Sequence, residues 1–450
     1  GNMHQKTLFL NTSPTRLFFK AALPGSVGML ASSLYQLLDG MFVGQLLGGE
    51  AFAALNLAMP LVIINFAISD LIGVGSSVPI SVRLGEKRPE EANNIFTCAC
   101  LMVLLQGLVV GSFLFFASPV LLRWMGAEGS LLRLATQYIR VYAVSSPITG
   151  MMYAMDNYLR ICGQIKTSMW LNVAMSTLCA LGEFLMLGVL GVGVWGAAFG
   201  ACMGMVICVL VGMWPFFRGQ LQLRFRRPHF TKSIIRQIVF CGTPTFLNNI
   251  AGRVTSILMN TVLLRVGGAA AVSVYGILMY ADGIVMQFLY GMCDSLQPAV
   301  GYNWGAGRRD RVLAIEKRCF SAAAIISLLG AAVLYAFPEA VASVFVSDSE
   351  PAVYAMAIPA LRLFCLGYLT RWLSFATQSF MSAVEHPIQA SILSVSTALV
   401  FPVLLIAVLW PFGLNGLWFN MAGTALLTCV VAVIILLDFK RRNWNSGTTR

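Results

Sequence analysis

Twelve apolar blocks follow one another along the chain, roughly 17–44, 52–80, 94–120, 132–157, 165–190, 193–217, 236–264, 269–300, 315–338, 352–383, 388–410 and 414–438, with polar loops between them. Each block meets the ~20 residues that an α-helix needs to cross a hydrocarbon core. No extended stretch alternates with period two, so strands of a membrane β-barrel are not expected. The pattern predicts an all-α integral membrane protein with twelve transmembrane helices.

The two halves echo each other. Ala22-Leu23-Pro24-Gly25 and Leu47-Gly48-Gly49 are answered by Gly242-Thr243-Pro244-Thr245 and Val266-Gly267-Gly268. Downstream, Arg83-Leu84-Gly85 is answered by Asn303-Trp304-Gly305, and Gly193-Val194-Trp195-Gly196 by Gly413-Leu414-Asn415-Gly416. One long polar connection, containing Arg224-Phe225-Arg226-Arg227-Pro228-His229, divides six blocks from six. The expected organisation is an N-terminal six-helix lobe over 1–217, a basic cytoplasmic linker over 218–235 and a C-terminal six-helix lobe over 236–450. Six is even, so both lobes enter from one side, as parallel pseudo-symmetric bundles. A repeat of this size in a membrane chain points to a transporter with its site between the halves.

Composition sharpens the picture in two places. With 58% apolar and 11% charged residues, the chain has more apolar surface than one soluble core can hide. The formal charge of +12 raises nucleic acid as a partner, but its placement argues otherwise. If residue 1 starts in the cytoplasm, 23 lysines and arginines fall on that side and only Arg123, Arg133 and Arg265 on the other. Such asymmetry is the positive-inside rule, and it predicts a multi-pass protein of the cell (inner) membrane with both termini cytoplasmic. The eleven cysteines are scattered and read as small core residues. His4, His229 and His386 lie outside the blocks, leaving no imidazole relay or histidine metal site within them. No cofactor or metal site is expected, and an integral-membrane enzyme is disfavoured because no membrane-depth histidine or GxSxG exists.

Two motifs support a family resemblance. Ser33-Leu34-Tyr35-Gln36-Leu37-Leu38-Asp39-Gly40-Met41-Phe42-Val43-Gly44, with Ser81 to Lys87 after it, resembles the first half of the multidrug and toxic compound extrusion (MATE) family. Gln297-Pro298-Ala299-Val300-Gly301-Tyr302-Asn303-Trp304-Gly305-Ala306-Gly307, followed by Arg311, resembles its second half. The resemblance implies export of small amphipathic, often cationic, organic compounds driven by inward H⁺ or Na⁺ flow. Pro24 inside the first span removes a hydrogen bond and matches the family's helix-one proline, which the resemblance links to a bend that responds to protonation, the alternative being a fixed kink. The partners expected are such compounds and membrane lipid, with no nucleic acid, and the working unit expected is a monomer.

Acids inside spans are the first candidates for coupling, because an ionised carboxyl there is costly. Asp39 and Glu183 both lie about five residues before the outward ends of their spans, at similar depth, and Tyr35 is one turn from Asp39. Two acids on one first-half cavity make a carrier for a proton. Relatives that bind a cation in this half resemble the chain at Tyr35, Asp39 and Asn157, but Cys179, Glu183 and Ala201 replace an expected Asn, Asp and Thr. A thiol and a methyl remove two hard oxygen ligands, so H⁺ is expected to couple, with Na⁺ as the alternative.

Asp70 on the second span either faces the cavity or caps a neighbouring helix, and Asp156 with Arg160 reads as a surface i,i+4 pair. In the second half, Arg253, Asp282, Arg371 and the deeper Asp294 read as a buried ion-pair cluster or as groups that exchange with substrate. The arginines keep open a lipid-linked oligosaccharide or precursor flippase of the same superfamily, whose cavity would be cationic. A channel is disfavoured, because the few buried polar groups do not line a pathway.

Overall fold

The computed structural model describes residues 7–47, 49–124, 127–345 and 351–445. Gly48 and Arg450 lie outside them. The described chain is helical apart from its short connections and the linker over 218–231, without a strand among the described residues. Six helices build the first half: α1 (Pro14–Leu47), α2 (Gly49–Gly85), α3 (Pro89–Trp124), α4 (Gly129–Thr149) continued by α5 (Met151–Ile161), α6 (Ile165–Phe184) and α7 (Val194–Phe217). The second half follows as α8 (Lys232–Gly305), α9 (Arg309–Ala336), α10 (Pro338–Phe345), α11 (Pro351–Phe364), α12 (Tyr368–Ala383), α13 (Pro387–Val395), α14 (Phe401–Leu409), α15 (Gly413–Trp418) and α16 (Asn420–Lys440).

Ten described helical stretches are long and apolar enough to cross a membrane by themselves. The other two expected spans are also helical but more polar: 132–157 carries Arg133, Gln137 and Arg140, and 236–264 carries Asn248, Asn249 and Arg253. The long α8 is two helices joined at Gly268, whose φ of 71° is a conformation that favours glycine. Outward faces are greasy. On α3, Leu105, Leu108, Val109, Phe113 and Phe116 form an exposed apolar stripe at helical spacing, as a lipid-facing helix requires. Ten of the eleven cysteines are buried and all are free.

Packing divides the chain into two compact units, Gly1–Gly242 with Asp294–Val312, and Thr243–Cys293 with Leu313–Arg450. The second-half motif around residues 294–312 therefore packs with the first unit, and α8 passes through both. The core of the first unit is built from α2, α3, α4 and α7, including Ala54, Ala58, Tyr138, Ile139 and Ala198. That of the second gathers Leu263, Val274, Leu361, Tyr368 and Trp418.

Within the first unit, the segments that lead into α1 and α8 are each fastened to a motif from the opposite repeat. The turn Thr7–Asn11 buries Phe9 completely against Tyr302, with ring centroids 5.5 Å apart. Asn303 Nδ2 donates to the Phe9 carbonyl (2.8 Å), while Arg311 donates from Nη2 to the carbonyls of Phe9 (2.8 Å) and Thr12 (2.6 Å) and from Nε to Asn303 Oδ1 (3.1 Å). The basic linker docks correspondingly on the start of α3. Arg224 and His229 amides donate to Asn93 and Asn94, and the Arg226 amide to Thr97. Arg311→Ala is expected to cost about 2–3 kcal/mol, since it leaves buried carbonyls without a charged donor. The loss should appear as a lower melting temperature and faster proteolysis before residue 14, and Arg311→Lys, lacking the planar fork, should restore little of it.

Candidate functional site

The first-half acids meet. Asp39 on α1 and Glu183 at the end of α6 lie in direct interaction distance, and the Tyr35 hydroxyl donates to Glu183 Oε1 at 2.5 Å. Glu183 has no exposed surface. Its depth has a backbone cause: α6 and α7 cross at Gly182 and Gly200, so closely that a Cβ on Gly200 would lie 2.5 Å from the Gly182 carbonyl carbon. Asp39 Oδ1 and Glu183 Oε2 are buried without a hydrogen-bond partner among the described residues. Tyr138 and Tyr142 on α4, which the sequence reading did not single out, lie within electrostatic reach of Asp39. The signal available was their i,i+4 spacing on one helix face.

The residues that differ from the cation-binding pattern are used otherwise. The Cys179 thiol donates to the Ala201 carbonyl at 3.2 Å, closing α6 on α7 where oxygen ligands would be needed. Asn157 is engaged by its own helix and by Arg160: its Nδ2 donates to the Tyr153 carbonyl (2.9 Å) and its Oδ1 accepts from Arg160 Nη2 (2.9 Å). It makes no hydrogen bond to the acid pair. Among the described residues, no group of three or more His, Cys, Asp or Glu side chains could hold a metal ion.

The Asp156–Arg160 pair corrects an expectation. It spans 2.9 Å, but Arg160 is only 6% exposed, so the pair is interior and not a surface contact. Ser168 and Asn172 on α6 also donate to Asp156, which ties α5 to α6. Asp70 on α2 lies within electrostatic reach of Asp294 on α8, and both lie within reach of the Asp156–Arg160 pair, all within the first unit. Pro24 lies buried inside α1, which continues helically through it.

In the second unit Arg371 on α12 donates to Asp282 on α8 at 2.6 Å, and Tyr368, one turn before Arg371, donates to the same oxygen at 2.7 Å. Asp294 is not part of this pair, and Arg253, exposed on α8, has no ion pair among the described residues. Asp282 and Arg371 line a cavity of about 310 Å³ together with Asn248, Tyr290, Gln378 and Trp418. Its volume is at the small end of the range for organic ligands. The pair was legible from the rule that buried opposite charges meet, but the cavity beside it was not.

The MatE family profile matches residues 24–183 and 244–408, one segment in each half. The multidrug export protein MepA of Staphylococcus saprophyticus is 23% identical over 432 residues, covering 94% of this chain and 93% of that protein. MepA of Staphylococcus aureus strain NCTC 8325 is 24% identical over 426 residues, with the same coverage of 94% and 93%. Among solved structures, a MATE crystal structure in complex with MaL6 superposes with a TM-score of 0.91 at 23% identity, covering 97% of this chain and 99% of that one. The outward-facing conformation of a multidrug resistance MATE family transporter of the MOP superfamily gives 0.90 at 23% identity, covering 96% and 98%. These structures share the fold, and the family match in both repeats adds the assignment that the motifs at Tyr35–Asp39 and Gln297–Arg311 pointed to: this chain belongs to the MatE family.

Proposed function

We propose that the protein is an antiporter of the cell (inner) membrane, with cytoplasmic termini, that exports small amphipathic organic compounds by alternating access as a monomer. Inward H⁺ flow drives it, with the proton carried by Asp39 and Glu183 and positioned by Tyr35. The observation that carries this reading is a fully buried Glu183 that accepts from the Tyr35 hydroxyl and lies beside the half-buried Asp39, next to the close crossing of α6 and α7. Protonation changes the charge of the pair, so the two protonation states favour different helix arrangements, and a bend of α1 at Pro24 is the change we assign to that difference. The export direction and substrate type follow the relatives named multidrug export protein. Asp70 and Asp294, without a hydrogen bond to the described residues, are assigned to the attraction of cationic substrates.

The flippase alternative loses support in the second unit, because the Arg371 charge is balanced by Asp282 and the cavity wall is not cationic. The test is uptake and release of ethidium by proteoliposomes under an imposed pH gradient without Na⁺, and under a Na⁺ gradient at equal pH on both sides. Ethidium movement driven by the pH gradient alone is expected. Movement that needs Na⁺ and ignores the pH gradient would overturn the coupling assignment; no movement under either gradient would return the flippase reading to first place.

A further inference from the structure

The cavity of the second unit carries a charge pattern that selects its ligand. Asp282 and Arg371 are the charged residues among the described ones lining it, and they form one ion pair, so the wall is neutral but strongly dipolar. The pair is not saturated. Arg371 makes its hydrogen bonds from Nη1, to Asp282 Oδ1 at 2.6 Å and to the Met421 sulfur at 3.2 Å. Its Nε and Nη2 make none to the described residues. Asp282 accepts both Arg371 and Tyr368 on Oδ1, which leaves Oδ2 without a donor among the described residues. One side of the pair thus keeps a donor fork and the other an acceptor.

A lone organic cation entering here would bring a charge that nothing on the wall balances, and so would a lone anion. Unbalanced charge in a poorly solvated site is costly. A molecule carrying both charges close together avoids that cost: its carboxylate can take the Arg371 fork side by side, in the bidentate geometry guanidinium favours, while its ammonium faces Asp282. Tyr290 and Trp418 supply aromatic wall for an apolar remainder. We propose that this cavity is a binding site for amphipathic zwitterions, compounds of no net charge with an aromatic body and adjacent ammonium and carboxylate groups. This deepens the export reading by assigning a substrate class to the second unit, and it rests on that reading for its place in transport.

The test is binding to the purified protein in lipid nanodiscs without any gradient, so its outcome is independent of how transport is coupled. Three probes share one body and differ in charge: 3-(2-naphthyl)alanine, 3-(2-naphthyl)propionic acid and 2-(2-naphthyl)ethylamine. By calorimetry the amino acid is expected to bind at least about tenfold more tightly than either single-charge probe. The double variant Asp282→Asn with Arg371→Gln, which keeps the wall neutral and polar, should lose that order, while Asp39→Asn should keep it. If the amine or the acid binds the parent as tightly as the amino acid, if none of the three binds, or if the order survives in the double variant, the proposal is wrong. The order measured on the parent decides the matter even if the double variant does not fold.

Discussion

Glu183→Gln is expected to reduce pH-driven ethidium export to the level of protein-free liposomes while leaving folded, membrane-inserted protein. The substitution keeps the shape of a side chain that has no exposed surface and keeps an acceptor for the Tyr35 hydroxyl. What it removes is the exchangeable proton. Asp39→Asn should do the same if, as proposed, the two carboxyls act as one unit with neither a spare for the other. Tyr35→Phe leaves both acids and takes away a single donor to a carboxyl, so a partial loss of about tenfold is expected. The decisive comparison is the double variant Asp39→Asn with Glu183→Gln. If the acids work together its defect equals that of either single variant, whereas defects that multiply would mean two independent carriers. Full activity in Glu183→Gln would remove α6 from the coupling site altogether.

Gly85→Ala is expected to lower stability by about 3 kcal/mol or more, through the overpacking of two backbones. At this point α2 and the end of α8 cross within the first unit with nothing between them. A Cβ on Gly85 would lie 2.0 Å from the Tyr302 carbonyl oxygen, and one on Gly305 would lie 2.1 Å from that of Val82. A second crossing repeats the device, with Gly75 against Ile238 and Gly242 against Leu71, at 1.9 and 2.0 Å. Neither clash is with a flexible side chain that could swing away, so whole helices must part. Gly283→Ala is the control: it also lies within α8 but has open space where the methyl would go. It should be neutral or gain up to about 1 kcal/mol from helix propensity. The check is the melting temperature of the purified proteins, with a drop of several degrees expected for Gly85→Ala alone. Equal melting of both variants would mean that the crossing at Gly85 opens without cost.

How much of this was readable beforehand depended on the kind of fact. The apolar blocks and their repeat foretold an all-helical membrane chain, including two spans, 132–157 and 236–264, whose polar residues make them poor spans by hydropathy alone. Equal depth made Asp39 and Glu183 candidates for one cavity, but whether the two touch depended on helix rotation, which depth does not give. That Arg371 pairs with Asp282 followed from the cost of a buried charge. Asn157 was chosen through a resemblance to cation-binding relatives, and its amide turned instead to Arg160, a residue one turn away on the same helix. Asp294 joined the field of Asp70 and Arg160 because the stretch 294–312 packs with the first unit, which nothing in its local pattern announces.

The sequence by itself determined the solvent of this protein, the order of its helices, the duplication and the position of each ionisable group along its helix. Those are properties of position along a helix axis, and a rise of 1.5 Å per residue converts a residue number into depth directly. The tertiary structure alone decided which way each helix is turned and which helix faces it. It pressed Gly200 against Gly182 and so sealed Glu183 away from water, buried the Asp156–Arg160 pair that looked like surface, seated Phe9 under Arg311 and left a cavity beside Arg371. In a helix whose lipid side and protein side are both apolar, hydrophobicity marks neither, and rotation is settled only by close contact between small residues and by the need of every buried polar group for a partner.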